Sequence, residues 1–131
     1  MAAARALAAA AGPKKFCAEL DSNAANLVLA DANIEDAATK IAAVAFGASG
    51  QQCISAQRVI VEQPVFERFL ETFVAAAKKL KVGDLRNGVT MVNVAAAQRV
   101  MSMVAEAEAP GKARVLCEEV FGPIVGLRAG R

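Results

Sequence analysis

The chain has 131 residues, 56% of them hydrophobic and 21% charged, with 15 basic against 13 acidic side chains for a net charge of +2. That length supports one modest core, and the apolar fraction excludes an intrinsically disordered chain. The balanced charge, with no Lys/Arg run and no Trp or Tyr, excludes the electrostatic footprint of a nucleic-acid binder.

The longest uncharged stretch, Ile41 to Gln57, is broken by Gly, Ser and paired Gln, so no membrane span is expected. Absence of histidine removes the Cys-His dyad, the Ser-His-Asp triad and every His-containing metal site. The three cysteines, Cys17, Cys53 and Cys117, are odd in number and far apart, which suits neither a disulfide framework nor a four-thiolate zinc site. No metal and a reducing, cytoplasmic setting are expected.

In chain order, Ala2 to Ala11 is nearly all alanine and predicts a short helix stopped by Gly12-Pro13, rather than a targeting segment. Lys15 to Leu20 and Ala25 to Ala30 predict short strands separated by the turn-forming Asp21-Ser-Asn. Asn33, followed by Glu35 and Asp36, caps a helix whose apolar stripe of Ile34, Ala38, Ile41, Ala45 and Ala48 runs to about Ser49. Gln57 to Glu62 has strand composition, which leaves Cys53 at a helix-to-strand junction.

Pro64 opens the best-patterned helix, with Phe66, Phe69, Leu70, Phe73, Val74, Ala77 and Leu80 on one face. Gly83 to Gly88 reads as a turn, Ala95 to Ala109 as a second amphipathic helix ended by Pro110-Gly111, and Arg114 to Cys117 and Val120 to Leu127 as strands. This alternation of strands and helices predicts an α/β fold with a mostly parallel sheet and flanking helices.

Thiolate is the strongest nucleophile a histidine-free chain can offer. A glycine-containing turn lets a carbonyl approach while backbone N–H groups point at its oxygen, so Cys53 is the candidate nucleophile. Glu19, at a predicted strand end, is a candidate general base provided it is buried.

Glu19-Leu20, then Phe46-Gly-Ala-Ser-Gly50-Gln51-Gln52-Cys53, then Glu118-Glu119-Val120-Phe121-Gly122-Pro123 occur in this order. They resemble the E-L-G-G, F-x-x-x-G-Q-x-C and E-E-x-F-G-P motifs of the aldehyde dehydrogenase superfamily. The stretches Asn26 to Ala32, Arg58 to Glu62, and the Pro64 helix running into Lys81-Val-Gly-Asp84 resemble it too, so the likeness extends from about Ala8 onward.

The resemblance implies an NAD(P)-dependent oxidation of an aldehyde to a carboxylic acid. Cys53 would form the thiohemiacetal and thioester, with its own backbone N–H among the oxyanion donors, and Glu19 would activate the hydrolytic water. It further implies that Glu119 holds the nicotinamide ribose and Phe121 packs beside the nicotinamide. Cys17 and Cys117 match no catalytic role and are expected as small packing residues, while Glu118, Lys14 and Lys15 are expected in solvent.

Several departures from the family pattern bear on function. Glu19-Leu20-Asp21-Ser22 stands where E-L-G-G is usual, which puts a bulkier anion at a glycine position on the cofactor side. The spacing from Cys53 to Glu119 is shorter than the family's, with the joint near Leu116-Cys117. The chain therefore reads as an incomplete aldehyde-dehydrogenase-like catalytic-domain fragment with an internal deletion. Residues 1–30 would be the end of the coenzyme-binding domain and residues 31–131 a truncated catalytic domain.

The phosphate-anchoring half and the oligomerisation segment of a homo-oligomeric family are expected to be missing, so NAD or NADP should bind weakly. The alternative is an inactive α/β interaction module or pseudoenzyme that pairs its exposed sheet edges with a partner. A cofactor-independent thiol esterase or redox sensor acting through Cys53 is a further reading.

Overall fold

Val59 and Val61 alternate with Arg58 and Ile60, and the first pair is fully buried while the second is not, as expected of a strand covered on one side. In a computed structural model, residues 2–19, 22–81, 91–111, 113–116 and 126–130 are described. Strand β1 (Ala25–Val28), β2 (Arg58–Glu62) and β3 (Gly126–Gly130) form one sheet in the order β1-β2-β3. Both pairings are parallel, with Leu27 opposite Ile60 and Val28 opposite Val61 in the first, and Arg58 opposite Gly126 in the second. Parallel neighbours need a crossover, and the intervening helices supply it.

Helix α1 (Ala2–Ala11) ends at Gly12, whose φ of +58° only glycine adopts readily, and it adds nothing to the core. Helix α2 (Ile34–Phe46) starts where Asn33 Oδ1 accepts the Asp36 N–H at 3.1 Å. Pro64 lies in a short 3-10 turn, Gln63–Val65, that leads into α3 (Phe66–Ala77). Asn93 caps α4 (Val94–Glu108) in the same way as Asn33, accepting the Ala96 N–H at 2.8 Å.

Helices α2 and α3 pack on each other over the Val59 and Val61 face of the sheet. Phe69 sits at the centre, stacked on Phe73 at 5.7 Å between ring centroids, and Phe73 in turn meets Phe46 at 6.2 Å. Ile34, Ala38, Ala42 and Ala45 complete the α2 side, where the small residues let the helices come close. On the opposite sheet face Leu27 is 70% exposed and Leu29 56%, and helix α4 buries none of its residues.

Three sequence expectations are corrected. Lys15 to Glu19 is irregular and exposed rather than a strand, and Arg114 to Leu116 is irregular as well; without a neighbour to hydrogen-bond, strand-like composition does not produce a ladder. Helix α2 stops at Phe46 and not near Ser49, because Ala48 and Ser49 adopt left-handed backbone. The expected turn at Gly83 to Gly88, the joint at Cys117 and the strand start at Val120 lie outside the described residues.

Arg68 on α3 reaches the first turn of α2, where Nε donates to Glu35 Oε1 at 2.7 Å and Nη2 lies 2.6 Å from the same oxygen. That hydrogen bond, helped by the residue's own backbone N–H and by the guanidinium charge, holds the Glu35 carboxyl below its ordinary value. The pair's contribution to stability is therefore full above the ordinary carboxylate pKa and is lost as the pH falls through the lowered folded value. Both side chains are exposed, so the effect is small. In urea unfolding followed across the acid range, Arg68→Gln should lower neutral-pH stability slightly and leave stability in strong acid unchanged, so that the acid-side loss is flatter by the same small amount.

Candidate active site

Cys53 lies in a tight turn, Gln52 to Ser55, between the end of α2 and the start of β2. The Ser55 N–H donates to the Gln52 carbonyl at 2.8 Å, and the Gln52 N–H donates back to Ser55 Oγ at 3.2 Å. Ser55 is 1% exposed and Ala56 is buried, so the foot of the turn is set into the core. Cys53 itself projects as an exposed free thiol.

Upstream, Ala48 (φ 47°), Ser49 (φ 57°) and Gly50 (φ 65°) form a left-handed turn closed by the Gln51 N–H on the Ala48 carbonyl at 3.2 Å. A left-handed conformation costs a non-glycine residue roughly 1–2 kcal/mol, so strain is concentrated immediately before the thiol. Only the bracketing Gly47 and Gly50 signal it in the sequence.

Glu19 and Ser22 form one wall of an open cleft of about 270 Å³, and Gly50, Gln51, Gln52 and Cys53 form the other, with Gln57 completing it. The two residues chosen from the sequence as base and nucleophile are thus brought to one site. Glu19 is nevertheless exposed and in irregular chain, so the burial on which its role as a base was conditioned is not met. Cys17, expected as a packing residue, is also an exposed free thiol. Glu119 and Phe121, together with Asp21, Cys117 and Glu118, lie outside the described residues.

Ser22 was missed by sequence reasoning. Its hydroxyl donates a hydrogen bond to the Cys53 carbonyl oxygen and links the two walls. The signal available was its position, the second glycine of E-L-G-G.

As its described residues bound it, the cleft is smaller than a whole dinucleotide. Its volume is below the range of roughly 300–1,000 Å³ typical of small-molecule sites. Among its described lining residues the charged side chain is an anion, and no cation or helix N-terminus faces it to receive a pyrophosphate. Among the described residues there is also no cluster of three metal-ligating side chains, and no helix is long and apolar enough to cross a membrane.

A layer of parallel strands and helices thus carries an exposed thiol at a helix-to-strand turn, with a carboxylate on the same cleft. A model of the aldehyde dehydrogenase family matches residues 1–127, and the chain belongs to that family. It is 40% identical over 111 residues to mitochondrial succinate-semialdehyde dehydrogenase of Arabidopsis thaliana, covering 80% of this chain and 21% of the relative. It is 40% identical over 121 residues to vanillin dehydrogenase of Corynebacterium glutamicum, covering 92% and 25%. The chain spans about a fifth to a quarter of the length of these relatives.

Among solved structures, a mutant Aldehyde Dehydrogenase C of Pseudomonas syringae, in complex with NAD+ and octanal, superposes with a TM-score of 0.80 at 25% identity over 98% of this chain and 34% of that one. An NAD-dependent benzaldehyde dehydrogenase of Corynebacterium glutamicum gives 0.77 at 27% identity, with 98% and 34% covered.

The strained turn and its N–H groups should make Cys53 the more reactive of the two described thiols. Limited iodoacetamide alkylation followed by peptide mapping should label Cys53 ahead of Cys17. Equal labelling of these two exposed thiols would contradict a preformed site.

Proposed function

We propose that this chain carries the acyl-transfer centre of an aldehyde dehydrogenase, with Cys53 as the nucleophile and Glu19, exposed yet on the same cleft and at the glutamate of the family motif, as the general base. The observation that carries the proposal is that these two residues, far apart in sequence, line one cleft. Residues 1–30 then correspond to the end of the coenzyme-binding domain and residues 31–131 to the catalytic domain. The pairing of β1 with β2 ties the two pieces into one sheet.

The Cys53 thiolate adds to the carbonyl carbon of an aldehyde, and the Cys53 N–H, which takes no part in the bonds closing its turn, is available to the developing oxyanion. Once the acyl group is held as a thioester, Glu19 accepts a proton from water, the hydroxide attacks the acyl carbon, and the carboxylic acid leaves Cys53 as thiolate. NAD(P)+ is the hydride acceptor of the complete enzyme. This chain is expected to bind it weakly, with Glu119 and Phe121 contributing to its nicotinamide end. The substrate is a small aldehyde rather than a nucleic acid or a membrane, in a reducing cytoplasmic setting, and the complete enzyme is homo-oligomeric.

A second reading, an inactive α/β interaction module, is favoured by one observation. The exposed Leu27 and Leu29, beside β1, which is an edge strand among the described residues, suit association.

Mutagenesis in a full-length family scaffold carrying these segments separates the readings. Cys53→Ala should abolish both aldehyde oxidation and ester hydrolysis. Glu19→Gln should leave a pre-steady-state burst of reduced cofactor while slowing deacylation by on the order of 10²–10⁴. Retained turnover in Cys53→Ala, or a burst lost together with the steady state in Glu19→Gln, would contradict the assigned roles.

A further inference from the structure

We propose that Ser22 is a positioning residue for the Cys53 thiol, its hydroxyl tying the segment that carries Glu19 to the turn that carries Cys53. The inference rests on the reading of Cys53 as nucleophile and goes beyond it, because the family motif E-L-G-G has glycine at this position and so offers no hydroxyl.

Within the Cys53 turn, the closing hydrogen bonds fall on Gln52 and Ser55, on either side of the cysteine. The Cys53 carbonyl is held from outside the turn, by Ser22 Oγ. Fixing that carbonyl fixes the peptide plane following Cys53, and with it the direction in which the Cα–Cβ bond presents the thiol.

On the other wall, Lys15 to Glu19 is neither helix nor strand, so no ladder locates it. The chain becomes anchored further on. The Asn23 carbonyl accepts from Arg58 Nη2 at 3.3 Å, and the Ala24 carbonyl accepts from the Arg58 and Gln57 N–H groups at 3.0 and 3.2 Å. Ser22 extends this anchorage one residue toward Glu19 and aims it at the nucleophile's own backbone. Ser22 is half-buried in the cleft wall, and its bond to the exposed Cys53 spans the two walls at the surface. One hydrogen bond of ordinary net strength changes the population of the held conformer by on the order of five- to tenfold.

The test uses the intact 131-residue chain and the ratio of Cys53 to Cys17 alkylation rates by iodoacetamide, Cys17 serving as reference within each molecule. Ser22→Ala and the family-like Ser22→Gly should each lower that ratio about five- to tenfold, and Ser22→Thr, which keeps the hydroxyl, should restore most of it. Amide exchange of the Gln51 to Ser55 peptide should rise in Ser22→Gly and not in Ser22→Thr. Unfolding would also equalise the two exposed thiols, so the urea midpoint of each variant is measured beside the ratio: the positioning role requires the lowered ratio in variants that remain folded, and a ratio that falls only in step with the unfolded fraction would overturn it. If the unsubstituted chain shows Cys53 ahead of Cys17 and both Ser22→Ala and Ser22→Gly keep that ratio, the positioning role of Ser22 is overturned while Cys53 stands. Equal rates in the unsubstituted chain would overturn the nucleophile reading itself.

Discussion

The burial of Phe46, Phe69 and Phe73 between α2, α3 and the Val59–Val61 face of the sheet is the constraint on which the rest depends. It fixes the end of α2 through Phe46 and the approach to β2 through Ser55 and Ala56, leaving the chain only a few residues in which to travel from one to the other. Ala48 and Ser49 accept a left-handed backbone in that span, and the packed ends hold them there. A functional group placed on a strained connection between two anchored elements is presented in one orientation, which a free loop would not provide.

The same packing leaves the second sheet face exposed at Leu27 and Leu29. Parallel sheets are ordinarily covered on both sides, yet Leu27 and Leu29 face outward here and α4 contributes nothing to the core. This asymmetry agrees with a chain matching about a fifth to a quarter of its relatives' length. Energetically, the aromatic side of the sheet carries the fold. The exposed Leu27 and Leu29 are the surface that any additional layer would cover, gaining roughly 25 cal/mol for each Å² of apolar area removed from water.

Legibility in the sequence followed the strength of the local signal. The Asn33 and Asn93 caps, the aromatic stripe of α3 and the valines of β2 were all readable, because each is a short-range pattern with one dominant physical cause. Lys15 to Glu19 and Arg114 to Leu116 were misread as strands, since a strand depends on a neighbour that composition does not reveal. The end of α2 was overrun because Ala48 and Ser49 are adequate helix formers, and only the tertiary demand of the turn overrides them. At the candidate site, Cys53 stands out by its chemistry and its glycine-containing turn, Glu19 by its predicted strand end, and motif order adds weight to both. Ser22, whose partner lies 31 positions away, was invisible until the fold joined them.

If the fold presents Cys53 as a nucleophile, acyl transfer to it is detectable without a cofactor. The intact chain should be exposed briefly to p-nitrophenyl acetate, and the acetyl group located by peptide mass mapping before and after unfolding in urea. A presented nucleophile requires acetylation of Cys53 well ahead of Cys17 in the folded chain, with that preference lost on unfolding. Acetyl groups shared equally between Cys17 and Cys53 in the folded chain would contradict it.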